Sequence, residues 1–170
     1  MKAISLKQPW ATLVAQGRKT IETRTWWTAY RGDLLICASK SREYLVAGTD
    51  HYPLGVALAV VELYDCRQMR KSDERAAECR YYPGAHAWCL RNLRRLPKPF
   101  SVRGHLGLFN VEIPRDMASA ISNAMASVIR CCRICGCTDD DCRQCIEKTG
   151  EPCYWVEPDL CSACVEGMRP

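Results

Sequence analysis

Nine of the chain's 13 cysteines fall between Cys131 and Cys164, and this crowding limits what the last forty residues can become. Cys132-x-x-Cys135 and Cys161-x-x-Cys164 are two knuckles separated by 25 residues. Each such turn presents two sulfurs to one ion, and four thiolates fit a tetrahedral zinc. Cys137, Cys142, Cys145 and Cys153 lie between the knuckles, with Cys142-x-x-Cys145 as a third. They make a possible second site, so the expectation is zinc, one or two ions, with Cys131 left as a spare thiol. An iron–sulfur cluster also takes four thiolates, but the spacing fits none of the common ferredoxin patterns. Disulfides would need an oxidising compartment. Forty residues also offer little core, with Ile134, Ile146, Tyr154, Trp155, Val156, Leu160 and Val165 as the main apolar content. Metal binding then supplies the missing folding energy, and an all-cysteine ligand set implies a structural ion.

The rest of the chain has a different character. Residues 1–130 carry 20 Lys/Arg against 11 Asp/Glu, a net +9, whereas residues 131–170 carry 4 against 8, a net −4. A basic body suits an anionic partner, nucleic acid above all; a merely solvated surface is the alternative. The acidic run Asp139-Asp140-Asp141 makes the tail a poor nucleic-acid surface and a better protein-contact or stabilising unit. No apolar run of about 18 residues exists, so no membrane-crossing helix is expected. Lys7 and Gln8 interrupt the stretch where a secretion signal would be apolar, which implies a cytoplasmic protein.

Along residues 1–114 the pattern is that of one mixed domain. Met1–Leu6 is a strand candidate. Pro9 opens a two-turn helix with Trp10, Leu13 and Val14 on its inner face, and Gly17 stops it. Thr20–Thr25, Leu34–Ala38, Val56–Leu63, Ala85–Leu90 and Leu106–Ile113 read as strands. Ser72 caps a helix running to about Cys79, and Pro97 and Pro99 mark a loop. Five or six strands with two helices imply an α+β fold built on a small barrel or half-barrel. Residues 115–130 read as a connecting helix, and 131–170 as the metal-stabilised, cysteine-rich module.

The chemistry of the first domain concentrates at Gly17-Arg18-Lys19-Thr20-Ile21-Glu22-Thr23-Arg24. On a strand, Glu22 and Arg24 share a face and can pair, with Lys19 at the mouth. Beside Trp26 and Trp27, such a group can hold a nucleotide, cations on phosphate or base edges and an indole as a stacking face. A surface charge network is the alternative. Lys7 and Gln8 at the helix start, with Arg31 and Lys40 flanking a strand, are further candidates for the cleft. Arg91, Arg94 and Arg95 form a basic cluster that can rim it. His51, His86 and His105 show no metal spacing.

Gly17-x-Lys19-x-x-Glu22-x-Arg24 resembles the signature of the ASCH domain, a member of the PUA-like superfamily. The similarity starts at Ser5-Leu6-Lys7-Gln8-Pro9-Trp10 and continues through Tyr30-Arg31-Gly32, Ile36–Lys40 and Ala87-Trp88-Cys89-Leu90. It ends at Gly104-His105-Leu106-Gly107-Leu108-Phe109, so it covers about residues 1–113. The resemblance implies a PUA-like β-barrel with a cleft beside the helix and the signature strand. It also implies association with RNA or DNA, and the partner expected for this chain is single-stranded RNA or a nucleotide-like ligand. Some relatives cut RNA and others hydrolyse an acylated nucleoside. In the amidohydrolase members the signature lysine activates a threonine three positions on, and here that position is Glu22. That chemistry is therefore not carried over, and a hydrolase using Glu22 and Lys19 stays open as the alternative to binding. A third alternative is an adaptor that holds a protein through its zinc tail.

Overall fold

Leu34, Leu35, Ile36, Cys37 and Ala38 are consecutive and all buried, so the strand they form must be covered on both faces. That demand organises the first domain. The computed structural model describes residues 1–49, 51–117, 121, 130–139 and 141–165. It divides the chain into two compact units, Met1–Val128 and Ile129–Pro170.

The first unit runs β1 (Lys2–Leu6), α1 (Trp10–Ala15), β2 (Ile21–Arg24), β3 (Gly32–Ala38), β4 (Val56–Gln68), a 3-10 turn at Lys71–Asp73 leading into α2 (Glu74–Ala77), β5 (His86–Ser101) and β6 (Leu108–Asn110). The six strands form one curled sheet in the order β2-β5-β4-β3-β1-β6, a half-barrel. Only β1 and β3 are parallel. One apolar cluster fills the concave side, with Ile4, Leu6, Leu34, Ile36, Val61, Leu63 and Trp88 packed against Ala11 and Val14 of α1. The alternate residues Ala3, Leu35, Cys37 and Val60 pack on the other side with Met117 and Ile121. Period-two alternation thus serves two cores at once.

The hairpin β4–β5 is longer than the sequence pattern implies. Register shifts at Ala57/Ala59, Val60/Glu62 and Leu63/Asp65 mark bulges. Bulges interrupt the alternation by which strands are read and sharpen the twist that curls a sheet. Pro97 and Pro99, expected in a loop, lie inside β5. Leu58 is the one residue of β4 between the partners of Arg95 and Phe100, so the prolines occupy the looped-out side of a bulge and cost no ladder bond. The helix expected from Ser72 is a single short turn after a 3-10 segment. Its start is held by Asp73, which accepts from the Arg70 amide at 2.7 Å.

Gly17 has φ +79°, and its amide bonds the Val14 carbonyl at 2.9 Å. This left-handed exit lets the Lys19 amide fold back onto the Leu13 carbonyl. Gly17→Ala is expected to cost the first unit about 1–2 kcal/mol, read as a lowered denaturation midpoint. An unchanged midpoint would show that α1 can end another way.

Of the connecting segment, 115–117 and Ile121 are helical, Met117 and Ile121 are buried, and Arg130 is not helical; positions 118–120 and 122–129 of the helix expected over 115–130 lie outside the described residues.

The second unit contains α3 (Arg143–Thr149), the hairpin β7 (Trp155–Glu157) and β8 (Leu160–Cys161), and a closing 3-10 turn, Ser162–Cys164. Its buried apolar residues are Cys132, Cys137, Cys145, Cys161, Cys164 and Leu160. Ile134, Ile146, Tyr154 and Val156, part of the segment's scarce apolar content, are exposed. Sulfur, not hydrocarbon, occupies the centre of this unit.

Candidate functional site

The α1–β2 junction brings three signature residues together. Lys19 follows the Gly17 turn and is 2% exposed. Its ammonium donates to the Ala77 carbonyl at the end of α2 and lies 3.3 Å from Glu22 Oε2. Glu22 Oε1 is 3.2 Å from Arg24 Nε, and the Arg24 guanidinium donates through Nη2 to the Ser5 carbonyl at 3.0 Å. The contact at Arg24 Nε is an ion pair without hydrogen-bond alignment, so this buried donor has no hydrogen-bond partner among the described residues. Ser5 Oγ, on the strand that Arg24 reaches, is also buried and unpartnered there. The Gly104 backbone closes over it: a Cβ at Gly104 would lie 2.6 Å from that oxygen.

The Arg24–Ser5 bond has a topological meaning. In the sheet order β5, β4 and β3 separate β2 from β1. Arg24 nevertheless spans from one to the other, so it bridges the open seam of the curled sheet. Glu22 sits opposite Trp88 in the β2–β5 register. Trp88 is fully buried in the concave core, and Trp26 meets it edge to face with ring centroids 4.6 Å apart. The charge network therefore caps the inner apolar cluster, with Trp26 exposed beside it.

The other expected cleft residues have local partners. Gln8 is fully buried and serves the fold: Oε1 accepts from the Thr12 amide at 3.0 Å and Nε2 donates to the Pro53 carbonyl at 2.8 Å. Lys7 pairs with Glu43 and lies 5.0 Å from the Tyr44 ring, while Tyr44 stacks edge-on against Trp10. Arg31 donates to the Thr28 and Tyr30 carbonyls and sits 3.6 Å from Asp65, bracing a turn. Lys40 is exposed, with its aliphatic stem against Gly55. The expected basic rim is on β5 rather than in a loop. Arg91 pairs with Glu62 and Arg94 with Asp33, and Arg95 donates to the Ala15 and Gln16 carbonyls where α1 ends. Ser5 and the Ala77 carbonyl were not legible as site groups, because nothing local to them signals a partner far along the chain.

The second constellation is the sulfur cluster. Two cysteine quartets have all their sulfurs within 4.8 Å of one another: Cys132, Cys135, Cys137 and Cys161, and Cys137, Cys145, Cys153 and Cys161. Either set is placed to hold a metal ion. Cys137 and Cys161 belong to both. Expected groupings of Cys132, Cys135, Cys161 and Cys164 and of Cys137, Cys142, Cys145 and Cys153 each keep three members. Cys137 stands in the first quartet in place of Cys164, and Cys161 in the second in place of Cys142. The Cys164 thiol, raised by burial and then by hydrogen bonds to Cys135 and Cys161, lies alongside.

Backbone geometry prepares the first knuckle. Gly136, at φ +75°, turns the chain so that its amide bonds the Cys132 carbonyl at 2.8 Å. Burial pushes the Cys132 thiol up, but amides of Cys135, Cys161 and Ile134 aimed at its sulfur outweigh this and bring it down to about 6. Amide donors that favour a thiolate favour metal ligation as well. Cys131 is the opposite case. Burial raises its thiol to about 12, and it donates to the Gly136 carbonyl at 3.6 Å.

A half-barrel whose helix-to-strand junction carries a buried Lys–Glu–Arg network defines a class that the comparisons identify. The chain belongs to the ASCH domain family, whose model matches residues 4–100. It is 26% identical over 127 residues to activating signal cointegrator 1 of Mus musculus, covering 64% of this chain and 22% of that protein. Its counterpart in Homo sapiens is 33% identical over 88 residues, 42% of this chain and 15% of that protein. The chain thus spans less than a quarter of these curated relatives. Among solved structures, the crystal structure of ASCH from Zymomonas mobilis aligns with TM-score 0.50 and 17% identity, over 75% of this chain and 94% of that one. No helix among the described residues is long and apolar enough to cross a membrane.

Proposed function

We propose that the half-barrel binds single-stranded RNA, or a nucleotide-like ligand, at the seam where Arg24 meets Ser5, and that the second unit is a structural zinc module. The observation that carries the binding reading is that two buried polar atoms lack a hydrogen-bond partner among the described residues: Arg24 Nε, which only ion-pairs with Glu22, and Oγ of Ser5, the residue whose carbonyl Arg24 reaches, in a basic unit. Buried polar groups normally find partners, so two together favour a ligand that supplies them. Arg24 is the cation of the network with part of its side chain in solvent, whereas Lys19 is enclosed. A guanidinium in this setting suits phosphate or a base edge. Trp26 offers a stacking surface nearby. Membership of the ASCH family supports the same reading.

Binding is preferred over hydrolysis because Lys19 and Glu22 are spent on each other and on the Ala77 carbonyl. A general base needs a reachable, uncommitted lone pair. Binding of a labelled single-stranded RNA is expected to weaken with salt, with a log–log slope of about −0.7 per phosphate contact. Arg24→Ala is expected to weaken it by about tenfold, with the fold retained. Equal affinity of Arg24→Ala and the parent chain would remove the seam from consideration.

The exposed Ile134, Tyr154 and Val156 of the zinc module support a second role in contacting a protein, in a cytoplasmic setting that keeps thirteen cysteines reduced.

A further inference from the structure

The cysteines do not sort into two separate tetrahedra. Six sulfurs, those of Cys132, Cys135, Cys137, Cys145, Cys153 and Cys161, make up the two quartets, and two of the six are shared. Two tetrahedra that share an edge need six corners, not eight, and the shared corners belong to both. Cys137 and Cys161 hold that position. They have the deepest burial in the module, each 0% exposed. Cys161 Sγ lies 3.5 Å from Cys135 Sγ and 3.8 Å from Cys145 Sγ, and Cys137 Sγ lies 3.6 Å from Cys153 Sγ. A metal–sulfur bond of about 2.3 Å sets a tetrahedral sulfur–sulfur edge of about 3.8 Å. Cys135 Sγ and Cys145 Sγ lie 3.6 Å apart, so the six sulfurs form one continuous group, and in a pair of edge-sharing tetrahedra these two corners must open to about 5 Å.

We infer that the module holds a binuclear thiolate cluster. Two zinc-class divalent ions share the Cys137 and Cys161 thiolates as bridges, with Cys132 and Cys135 terminal on one ion and Cys145 and Cys153 terminal on the other. This deepens the zinc reading above and rests on it. Charge favours the shared arrangement. Two separate four-thiolate sites would each carry −2. Six thiolates around two divalent ions carry −2 in all, in a segment whose other side chains already total −4. Each metal binding releases the thiol protons of its ligands to solvent and changes no oxidation state. Cys142 and Cys164 lie outside both quartets, and Cys131 is held as a thiol by the Gly136 carbonyl.

The test uses the whole chain, purified with zinc and then exchanged into cadmium-113. Two ions per chain and two cadmium resonances split by mutual coupling are expected, because bridging sulfurs transmit that coupling. Cys137→Ser and Cys161→Ser are each expected to change the coupling, then carried by the one remaining thiolate bridge, and to perturb both resonances, and the double variant to abolish it. Cys142→Ser and Cys164→Ser are expected to keep two ions and the coupling, which holds the inference open to refutation even if the bridging variants misfold. Two uncoupled resonances, one ion per chain, or loss of an ion in Cys142→Ser or Cys164→Ser would overturn the shared cluster while leaving a metal module intact. A folded chain that takes up no metal would overturn both readings.

Discussion

Stripping metal from the 170-residue chain is expected to unfold the cysteine module and leave the half-barrel folded. Among the described residues of the module, its centre is five buried cysteines and one leucine, Leu160, so removing the ion removes the core. Structural zinc in small domains is worth about 10–16 kcal/mol of apparent binding energy, which is folding energy when no preformed site exists. What remains is a ring of surface contacts. Asp139 ties Arg130 to Trp155 through bonds of 2.9 and 2.7 Å, and Arg133 pairs with Glu157 at 2.7 Å. Exposed pairs of this kind are screened by solvent and cannot hold the unit alone. Amide spectra recorded before and after chelation provide the check. Signals of Cys132, Cys145 and Leu160 should collapse to unfolded positions and return when zinc is restored. Signals of Leu35, Val60 and Trp88 should not move. If the module's dispersion survives chelation, its stability has another source.

Glu22→Ala is expected to be the most damaging single change in the half-barrel, at about 3–5 kcal/mol. It leaves the Lys19 ammonium buried with the Ala77 carbonyl as its remaining partner among the described residues. It also frees the Arg24 guanidinium from its only carboxylate among the described residues. A loss of that size lowers the melting temperature by roughly 10–20 °C. The sign of the effect is specific. Lys19→Met introduced into the Glu22→Ala chain should recover part of the loss, because it removes the charge that the first change orphaned. A double-mutant cycle in denaturant measures this coupling directly. A Glu22→Ala cost below about 1 kcal/mol, or no recovery in the double variant, would mean that the network is surface decoration.

What could be read in the sequence followed from how local each signal was. The Gly17 stop, the strand after it and the meeting of Lys19, Glu22 and Arg24 are set by neighbours within a few residues. So is the crowding of cysteines. The lengths of β4 and β5 were hidden because bulges break the alternation on which a strand is recognised. The prolines pointed to a loop because a bulge and a loop suit proline for the same reason, a missing amide. The partners of Gln8 and Arg95 were hidden too. A polar side chain looks available until the carbonyl that occupies it is known, and Arg95 finds its carbonyls about 80 residues away, at Ala15 and Gln16. Which cysteines stand together was hidden likewise, since spacing along the chain does not place Cys137 and Cys161 in both quartets.

The bond from Arg24 to the Ser5 carbonyl works as a latch on the half-barrel. Its two ends belong to strands that share no ladder, so this contact holds the seam where a backbone bond would in a closed barrel. A ligand that takes the Nη2 hydrogen now held by the Ser5 carbonyl must release that latch, exchanging one hydrogen bond for another. Measured affinity would then be the remainder after the seam has been loosened. A ligand that instead fills Nε and the Ser5 hydroxyl leaves the latch fastened and adds to it. The two kinds of occupant therefore differ in what they do to the scaffold: one lets the sheet relax outward at β2, the other draws β1 and β2 together. Hydrogen exchange at the amides of Thr23 and Leu6 would register the difference as opposite changes in protection.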